Sequence, residues 1–534
     1  MKIALFFVYT GDMAVSMEDI GFSMISAVMR EKGHEVKEIF SNESNIDYDD
    51  IIQYKPDIIA FSVYTMSKEA AYRVIDLLVK KLPDVKVIMG GVHATSNDIH
   101  VLEENSHIDF AVRGEGEVTI AELLACIEKI GDYHSIKGLT FRENGRIYQN
   151  EDRKPIQNLD KLPYASRETL KQNNLQVALI STSRGCNSRC SFCSSQLFWK
   201  KWRGRSIQNC LNEIEHIYYK YNVSIFNFID SSFEDPYIDL RRVKEIAQGI
   251  LDRNLHISYF IDARAEIHRK LDHETMLLLK ESGLIAACIG IEAGNEQDLK
   301  LYNKIANIED NHKVIQLFRS YDISISPGFI NFNPYSNLNK LQQNIDFLKK
   351  YDNSIRFFSF LSAYKGTSLY NKIRDDGLLL SENEEDHTFG YRFIDETAMK
   401  LAQYFYKYKF ELNSDKIQYF SQMDFYYEIF PHMLGYYKRE LSVYQNAEAM
   451  EFLKNCQDHY NEIRKSFDIC CAKWIDSILT SATDKYDEKL FNQLKDKYMH
   501  ENFFKSTVEQ FNNNKNTLYL QLSRLGYWQM LKNF

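Results

Sequence analysis

Three cysteines constrain this chain more than any other feature in it. They lie in Arg184-Gly185-Cys186-Asn187-Ser188-Arg189-Cys190-Ser191-Phe192-Cys193, spaced Cys-x-x-x-Cys-x-x-Cys. The preceding run, Val177-Ala178-Leu179-Ile180-Ser181, reads as a buried strand, which puts the cysteines on a loop at a strand's C-terminal end. Iron–sulfur clusters are held by cysteine thiolates, and a cubane normally takes four. Three closely spaced ligands therefore leave one iron open to another ligand. Structural zinc asks instead for a second Cys or His pair at matching spacing. None follows, since Cys210 and His216 lie too far along a helical stretch to close a compact knuckle. Free thiols on an Arg-flanked loop with nothing to hold would be an oxidation liability.

The motif, with Phe192 directly before the third cysteine, resembles the cluster motif of the radical S-adenosylmethionine (SAM) enzymes. The resemblance implies that Cys186, Cys190 and Cys193 hold a 4Fe-4S cluster whose open iron chelates SAM. One electron from an external flavodoxin- or ferredoxin-like reductant would then cleave SAM to a 5′-deoxyadenosyl radical. It also implies Phe192 near the adenine, although plain packing is an equal reading for a Phe there.

Residues 1–140 alternate strand and helix patterns. Strands are expected at Ile3–Tyr9, His34–Phe40, Asp57–Val63, Val85–Met89 and Asp109–Val112, and helices at Ile20–Lys32, Lys68–Lys80 and Val118–Ile130. Continuous apolar strands with intervening helices argue a parallel sheet covered on both faces, with ligands outside the strands' carboxyl ends. Those ends carry Tyr9-Thr10-Gly11, Ser62-Val63-Tyr64-Thr65, Gly90-Gly91-Val92-His93-Ala94-Thr95 and Arg113-Gly114-Glu115-Gly116-Glu117. Taken together they resemble the cobalamin-binding domain found ahead of many radical SAM domains. The resemblance implies cobalamin contacts from Tyr9, Ser62, Tyr64, Thr65, Gly90, Gly91, Val92, His93, Arg113, Gly114 and Glu115. His93 is read either as lining the corrin edge or as an ordinary surface residue. The Asp-x-His-x-x-Gly motif that supplies a lower axial ligand elsewhere is missing, as it is from many radical SAM members. Some of the wider family keep this domain without using cobalamin.

Residues 141–176 read as a connector. The segment from Gly138 to Tyr148 is a hairpin turning at Asn144-Gly145. Residues 177–385 are expected to form a catalytic domain with six strands, at Ala178–Ser181, Ile225–Asp230, Ile257–Ile261, Ala286–Ile291, Ser324–Ile330 and Arg356–Leu361. Six repeats fit the partial βα barrel of the radical SAM family. Barrel chemistry sits at the C-terminal ends of strands, where Asp230, Ser231, Arg264 and Glu292 fall. Arg264 can fork a carboxylate, and Glu292 can accept from an ammonium or a ribose. Both match positions where family members contact SAM, although Arg264 could pair with Asp262 or Glu266. Asp230 and Ser231 could hold SAM or cap the next helix. After the fifth strand, Phe329-Ile330-Asn331-Phe332-Asn333-Pro334-Tyr335 departs from the family's glycine-rich pattern. Whether Asn331 or Asn333 meets substrate or bonds backbone is open from sequence.

Residues 386–534 are expected to be a helical domain closing over a substrate, with helices at Met399–Phe410, Ala447–Ile469, Glu488–Tyr498 and Thr507–Leu525. Most of its crowded aromatics should pack, and Cys470-Cys471 reads as packing too. The fold class is thus α/β: a Rossmann-like cobalamin-binding domain, a partial (βα)6 TIM-like barrel and an α-helical C-terminal domain.

A net charge of −9 gives no support for a nucleic-acid partner. No stretch approaches ~18 uninterrupted apolar residues, which argues against a membrane span. The first residues enter a strand without the pattern of a signal peptide, so the expected location is cytoplasmic. The two resemblances in tandem imply a cobalamin-dependent radical SAM enzyme that methylates an unactivated carbon of a small-molecule or peptide substrate by way of methylcobalamin. Ring formation, ring contraction or rearrangement without methyl transfer is the alternative. An iron–sulfur or cobalamin sensor is a distant third, because it gives Glu292 and Arg264 no task.

Overall fold

The computed structural model describes residues 1–9, 18–173, 175–234, 236, 239–380, 390–411, 422–423, 425–483, 486–499 and 501–525. Thr10 and Gly11, named above at the end of the first strand, lie outside them. The chain divides into two compact units, Met1–Asn187 with Ser195–Ser231, and Ser188–Ser194 with Ser232–Phe534.

In the first unit, β1 (Lys2–Tyr9), β2 (Glu35–Asn42), β3 (Ile58–Ser62), β4 (Lys86–Gly90) and β5 (Phe110–Val112) pair in parallel in the order β2-β1-β3-β4-β5. Alternate residues explain the unbroken apolar strands. Ala4, Phe6 and Val8 enter one core with Phe61 and Met89, while Ile3 and Leu5 enter another with Ala60 and Ile88. A strand buried on both faces has no polar side to offer. The five expected strands and three expected helices are all present, with ends within two residues of expectation. Strand order reverses between β1 and β3, the topological switch point at which parallel sheets open a ligand crevice.

The hairpin expected in the connector, β6 (Leu139–Glu143) and β7 (Arg146–Gln149), extends this sheet as two antiparallel strands. Its turn has φ of 49° at Asn144 and 76° at Gly145, as the tight hairpin turn requires. Three short helices, Tyr48–Tyr54, Gly91–Ser96 and Asp98–Glu104, were not expected from periodicity, being too brief to display one. The first unit also holds β8 (Val177–Ile180), the two-residue pair β9 (Ser183–Arg184) and β10 (Arg203–Gly204), and β11 (Ile225–Phe228), which pairs in parallel with β8.

The second unit is built on β12 (Ser258–Arg264), β13 (Leu284–Glu292) and β14 (Ser324–Phe329), parallel, with β13 between the other two. The sixth strand expected at Arg356–Leu361 is instead a 3₁₀ turn, Ser354–Phe358, followed by a single bridge from Phe360 to Phe332. Asp468 explains the turn, accepting from Ser354 N at 2.5 Å and Ser354 Oγ at 3.0 Å. Its Phe357 and Phe358 then pack on Phe405. A buried turn and a buried strand show the same apolar run in sequence.

Helices Glu396–Glu411, Phe430–Tyr444, Ala447–Ala482, Glu488–Tyr498 and Glu501–Arg524 complete the unit. The helix Phe430–Tyr444 was not expected, and a π-helical turn, Phe425–Ile429, leads into it. The aromatics pack as foreseen: Trp474 is fully buried against Phe358, Phe405 and Tyr408, and Tyr404, Tyr426, Tyr427, Tyr436 and Tyr437 are buried. Cys471 is also buried. Among the described residues no helix is long and apolar enough to cross a membrane.

Candidate active site

The cysteine loop is pinned through its backbone. Within the second unit, Ser191 N donates to Tyr302 O (2.9 Å), Ser191 Oγ to Leu301 O (2.6 Å), Asn303 Nδ2 to Arg189 O (2.7 Å), and Leu369 N to Ser191 O (2.8 Å). Phe192 meets Tyr302 edge-on at 5.4 Å. In the first unit, Gly185 has φ of 84°, and a Cβ there would lie 2.4 Å from Lys201 O, so the residue before Cys186 must be glycine. Cys186, Cys190 and Cys193 are half-buried and in no disulfide. Among the described residues no group of three or more His, Cys, Asp or Glu side chains is already gathered as a metal site. Accessible thiols on a backbone-anchored loop suit a cluster, which takes its thiolates on separate irons.

Glu292 ends β13 in a left-handed conformation, φ 65°, that costs a non-glycine residue about 1–3 kcal/mol. The surroundings hold it there. Asn311 Nδ2 donates to Ile291 O (3.1 Å) and Ala293 O (3.2 Å), Ile330 N donates to Glu292 O (2.8 Å), and Gly294 N donates to Asn344 Oδ1 (2.8 Å). A Cβ on Gly290 would lie 2.7 Å from Glu292 Oε1, so glycine there leaves the carboxylate its space. Lys304 Nζ lies 3.4 Å from Glu292 Oε1 and donates to Gly290 O at 3.0 Å. Burial raises the Glu292 pKa against the pull of Lys304. Burial pulls the Lys304 ammonium down, but Glu292 and Cys190 outweigh it and hold the ammonium above its ordinary range. Lys304 was missed by sequence reasoning, because a lone lysine in a turn carries no pattern. Only its spacing of 12 residues from Glu292 was visible.

Arg264 reaches Glu234, with Nε to Oε1 at 2.6 Å, and Glu266, with Nη1 to Oε1 at 3.2 Å. Of the two partners considered from sequence, Glu266 is met, and the buried Glu234 is the closer. Two carboxylates thus engage the guanidinium fork. Asp230 is fully buried and accepts from Thr182 N (3.3 Å), Thr182 Oγ1 (3.0 Å) and Ser183 Oγ. It therefore anchors the strand end leading to the cysteine loop and caps no helix: the next one, Arg241–Asp252, has Leu240 at its N-cap. Ser231 Oγ accepts from Ser195 Oγ at 2.9 Å. Asn331 and Asn333 are fully buried. Asn331 donates to Phe357 O (2.9 Å) and accepts from Asn344, and Asn333 donates to Tyr302 Oη (2.9 Å).

At the carboxyl ends of the first sheet, Tyr64, Thr65 and Val92 are exposed, while Tyr9, Ser62, Gly90, Gly91 and Gly114 are half-buried. Gly91 has φ of 93°, and its missing Cβ would lie 2.7 Å from Val63 N. Tyr64 Oη donates to Asp19 Oδ2 at 2.9 Å. His93 is buried, which corrects the expectation of a surface histidine: Nδ1 lies 3.1 Å from Thr65 Oγ1, and burial lowers its pKa. Arg113 and Glu115 are buried as well. Arg113 pairs with Asp98 (3.5 Å) and Asp152 (3.1 Å), whereas Glu115 pairs with Arg203 and accepts from Ile156 N at 2.7 Å. Their side chains hold the connector, and in the segment Arg113–Glu117 the two glycines, Gly114 and Gly116, keep partial exposure.

The family model described as B12 binding domain matches residues 8–124, and that of the Radical SAM superfamily matches residues 180–348. An uncharacterized methyltransferase of Pyrococcus horikoshii is 28% identical over 379 residues, covering 69% of this chain and 81% of that protein. The anaerobic magnesium-protoporphyrin IX monomethyl ester cyclase of Rubrivivax gelatinosus is 30% identical over 291 residues, about half of each protein at 52%. Among solved structures, the cobalamin-dependent S-adenosylmethionine radical enzyme OxsB, with aqua-cobalamin and S-adenosylmethionine bound, superposes with a TM-score of 0.68. It is 19% identical, and the alignment covers 96% of this chain and 84% of that one, a likeness of fold.

Proposed function

We propose that this chain, which belongs to the radical SAM enzymes that carry an N-terminal B12 binding domain, methylates an unactivated carbon of a small-molecule or peptide substrate. Bound together, the 4Fe-4S cluster and SAM supply a carbon-centred radical that removes hydrogen, and cobalamin supplies the methyl group. Cys186, Cys190 and Cys193 hold the cluster. Glu292 accepts from SAM's ammonium or ribose, and Lys304, beside both Glu292 and the cysteine loop, answers SAM's carboxylate. Arg264 serves SAM through its grip on Glu234 and Glu266. At the first sheet, Tyr64, Thr65, Val92 and the backbone at Gly90 and Gly91 offer a cobalamin an uncharged surface. His93 engages Thr65 through Nδ1.

The observation that carries this reading is the tandem match itself, with the strained Glu292 and its buried lysine at the end of β13. Ring formation without methyl transfer is the second reading, favoured by the relative named a cyclase. The two part on products. Anaerobic reconstitution with iron, sulfide and hydroxocobalamin, followed by SAM and a one-electron reductant, is expected to give both S-adenosylhomocysteine and 5′-deoxyadenosine. Deoxyadenosine alone, with no cobalamin retained after desalting, would overturn methylation and leave ring formation or rearrangement.

A further inference from the structure

The turn at residues 301–304 touches the cysteine loop on one side and the end of β13 on the other. It follows the helix Glu296–Leu301, and three main-chain bonds fix its path: Tyr302 N to Asp298 O (2.8 Å), Asn303 N to Lys300 O (3.1 Å) and Lys304 N to Leu299 O (3.0 Å). Toward the loop it offers Leu301 O and Tyr302 O to Ser191, and Asn303 Nδ2 donates to Arg189 O. Arg189 and Ser191 flank Cys190, so the turn holds the chain on both sides of that cysteine. Toward β13 it sends Lys304, whose ammonium meets Glu292 and Gly290 O.

Tyr302 supplies a second tie between the two. Its side chain is fully buried, and its Oη donates to Ile330 O at 3.2 Å while accepting from Asn333 Nδ2 at 2.9 Å. Ile330 N in turn donates to Glu292 O at 2.8 Å. One residue thus reaches Ser191 through its main chain and Glu292 through its phenol, with only Ile330 between. A phenol has one proton to give, and burial holds this one well above the ordinary tyrosine pKa, so the proton stays. Asn333 fixes the direction of the tie: its Oδ1 accepts from Tyr335 N at 2.9 Å, which leaves its NH₂ for the phenol. Asn333 lies in the stretch that departs from the family's glycine-rich pattern, and the departure supplies the donor.

A zwitterion held at once by an open iron and by Glu292 reacts only if those two anchors stand at a fixed separation. We propose that Tyr302 is a positioning residue that sets this separation, tying the cysteine loop to the end of β13 so that SAM held by both is aligned for cleavage. The proposal rests on the radical SAM reading of the loop and of Glu292. Nothing in that reading gave residue 302 a task, and Tyr302 acts through Ser191 and Ile330 rather than on SAM.

Tyr302→Phe, in the full chain reconstituted anaerobically with iron and sulfide, cuts the tie at one end. It keeps the ring beside Phe192 and the main-chain bond to Ser191, and loses only the bonds to Ile330 and Asn333. Iron content, and the electron paramagnetic resonance spectrum of the reduced cluster without SAM, are expected to match the wild type. With saturating SAM the spectrum should differ from that of the wild type. The kcat for 5′-deoxyadenosine formation with dithionite should fall about a hundredfold, as for a misplacement on the order of 1 Å. KM for SAM should stay within about threefold, because Glu292 and Lys304 still bind it. A residue that only packs would lower stability and leave the SAM-bound spectrum and kcat at wild-type values, and that result overturns the proposal. Should Tyr302→Phe fail to take up iron, Asn333→Ala decides, since it frees the phenol without touching the loop. A loss of kcat of about tenfold or more with iron retained supports the tie, and wild-type kcat overturns it. A wild type that takes up iron yet leaves SAM intact would instead refute the radical SAM reading, which is thereby tested apart from the tie.

Discussion

The two units each place their candidate site at the carboxyl ends of parallel strands, yet they prepare it in opposite ways. At β3 and β4 of the first unit the exposed groups are uncharged, namely Tyr64, Thr65, Val92 and the backbone at Gly91, while Arg113 and Glu115 face inward to hold the connector. At β12 and β13 of the second unit charge is kept at the strand ends, as Glu292 with Lys304 and Arg264 with Glu234 and Glu266. Buried charges cost several kcal/mol each unless paired, and both units pair theirs: the second at the strand ends themselves, the first by turning Arg113 and Glu115 to Asp98 and Arg203, away from the exposed groups. The difference suits two kinds of guest. A large ring system is recognised by shape and close backbone approach, whereas a small zwitterion is recognised by ions already in place.

The largest effect should come from the cysteine loop. Replacing Cys186, Cys190 or Cys193 by Ala is expected to remove the thiolate-to-iron charge-transfer absorbance and nearly all bound iron, with hydroxocobalamin retention unchanged. That outcome would make the two sites independent. Full iron in the triple variant would end the cluster assignment. Loss of cobalamin together with iron would erase the contrast between the units.

Lys304→Met attacks the charged site directly. The variant leaves the Glu292 carboxylate enclosed without its ammonium, at a cost of about 3–5 kcal/mol. The cost has a sign in pH. Burial already raises the folded-state pKa of Glu292, and removing Lys304 raises it further. A raised carboxyl contributes stability that is present below the unfolded value and lost as pH rises through the folded one. The variant should therefore be most destabilised near pH 8 and recover toward about pH 5 in urea titrations. SAM binding by calorimetry should weaken about tenfold or more, as for loss of a charged hydrogen bond. A loss of stability independent of pH would mean that Lys304 packs rather than pairs.

How far the sequence revealed these sites depends on how local their causes are. The loop position of the cysteines, the parallel strands of the first unit and the place of Glu292 at a strand end were legible, because spacing and apolar runs are local. The first sheet's helices were legible where they spanned several turns, and hidden where they spanned two or fewer, as at Asp98–Glu104. Three features needed tertiary information. Arg356–Leu361 reads as a strand until Asp468, over a hundred residues later, caps Ser354 into a turn. The ambiguity of Asn331 and Asn333 ends only when Asn344 and Tyr302 are seen to take their amides. Lys304 carries no motif, and it is found only through what the fold sets beside it.

Gly91→Ala tests the neutral site by the means that site is inferred to use. The residue sits at φ 93°, and the added methyl would approach Val63 N at 2.7 Å and Val63 O at 2.8 Å. Both atoms are fixed, since Val63 N donates to Gly90 O (3.0 Å) and Val63 O accepts from His93 N (3.1 Å). A left-handed alanine costs about 1–2 kcal/mol, and the backbone must also shift, so a total near 2–3 kcal/mol is expected, less than for Lys304→Met. The loss should be confined to the first unit. Amide exchange should quicken in Ile58–Ser62 and Lys86–Gly90, and cobalamin retention should fall, while iron content and SAM affinity hold. If cobalamin is kept in full although exchange quickens, close backbone approach at Gly91 is not what binds it. The exposed side chains Tyr64, Thr65 and Val92 would then carry the recognition, and the first site would depend on side chains after all, as the second does.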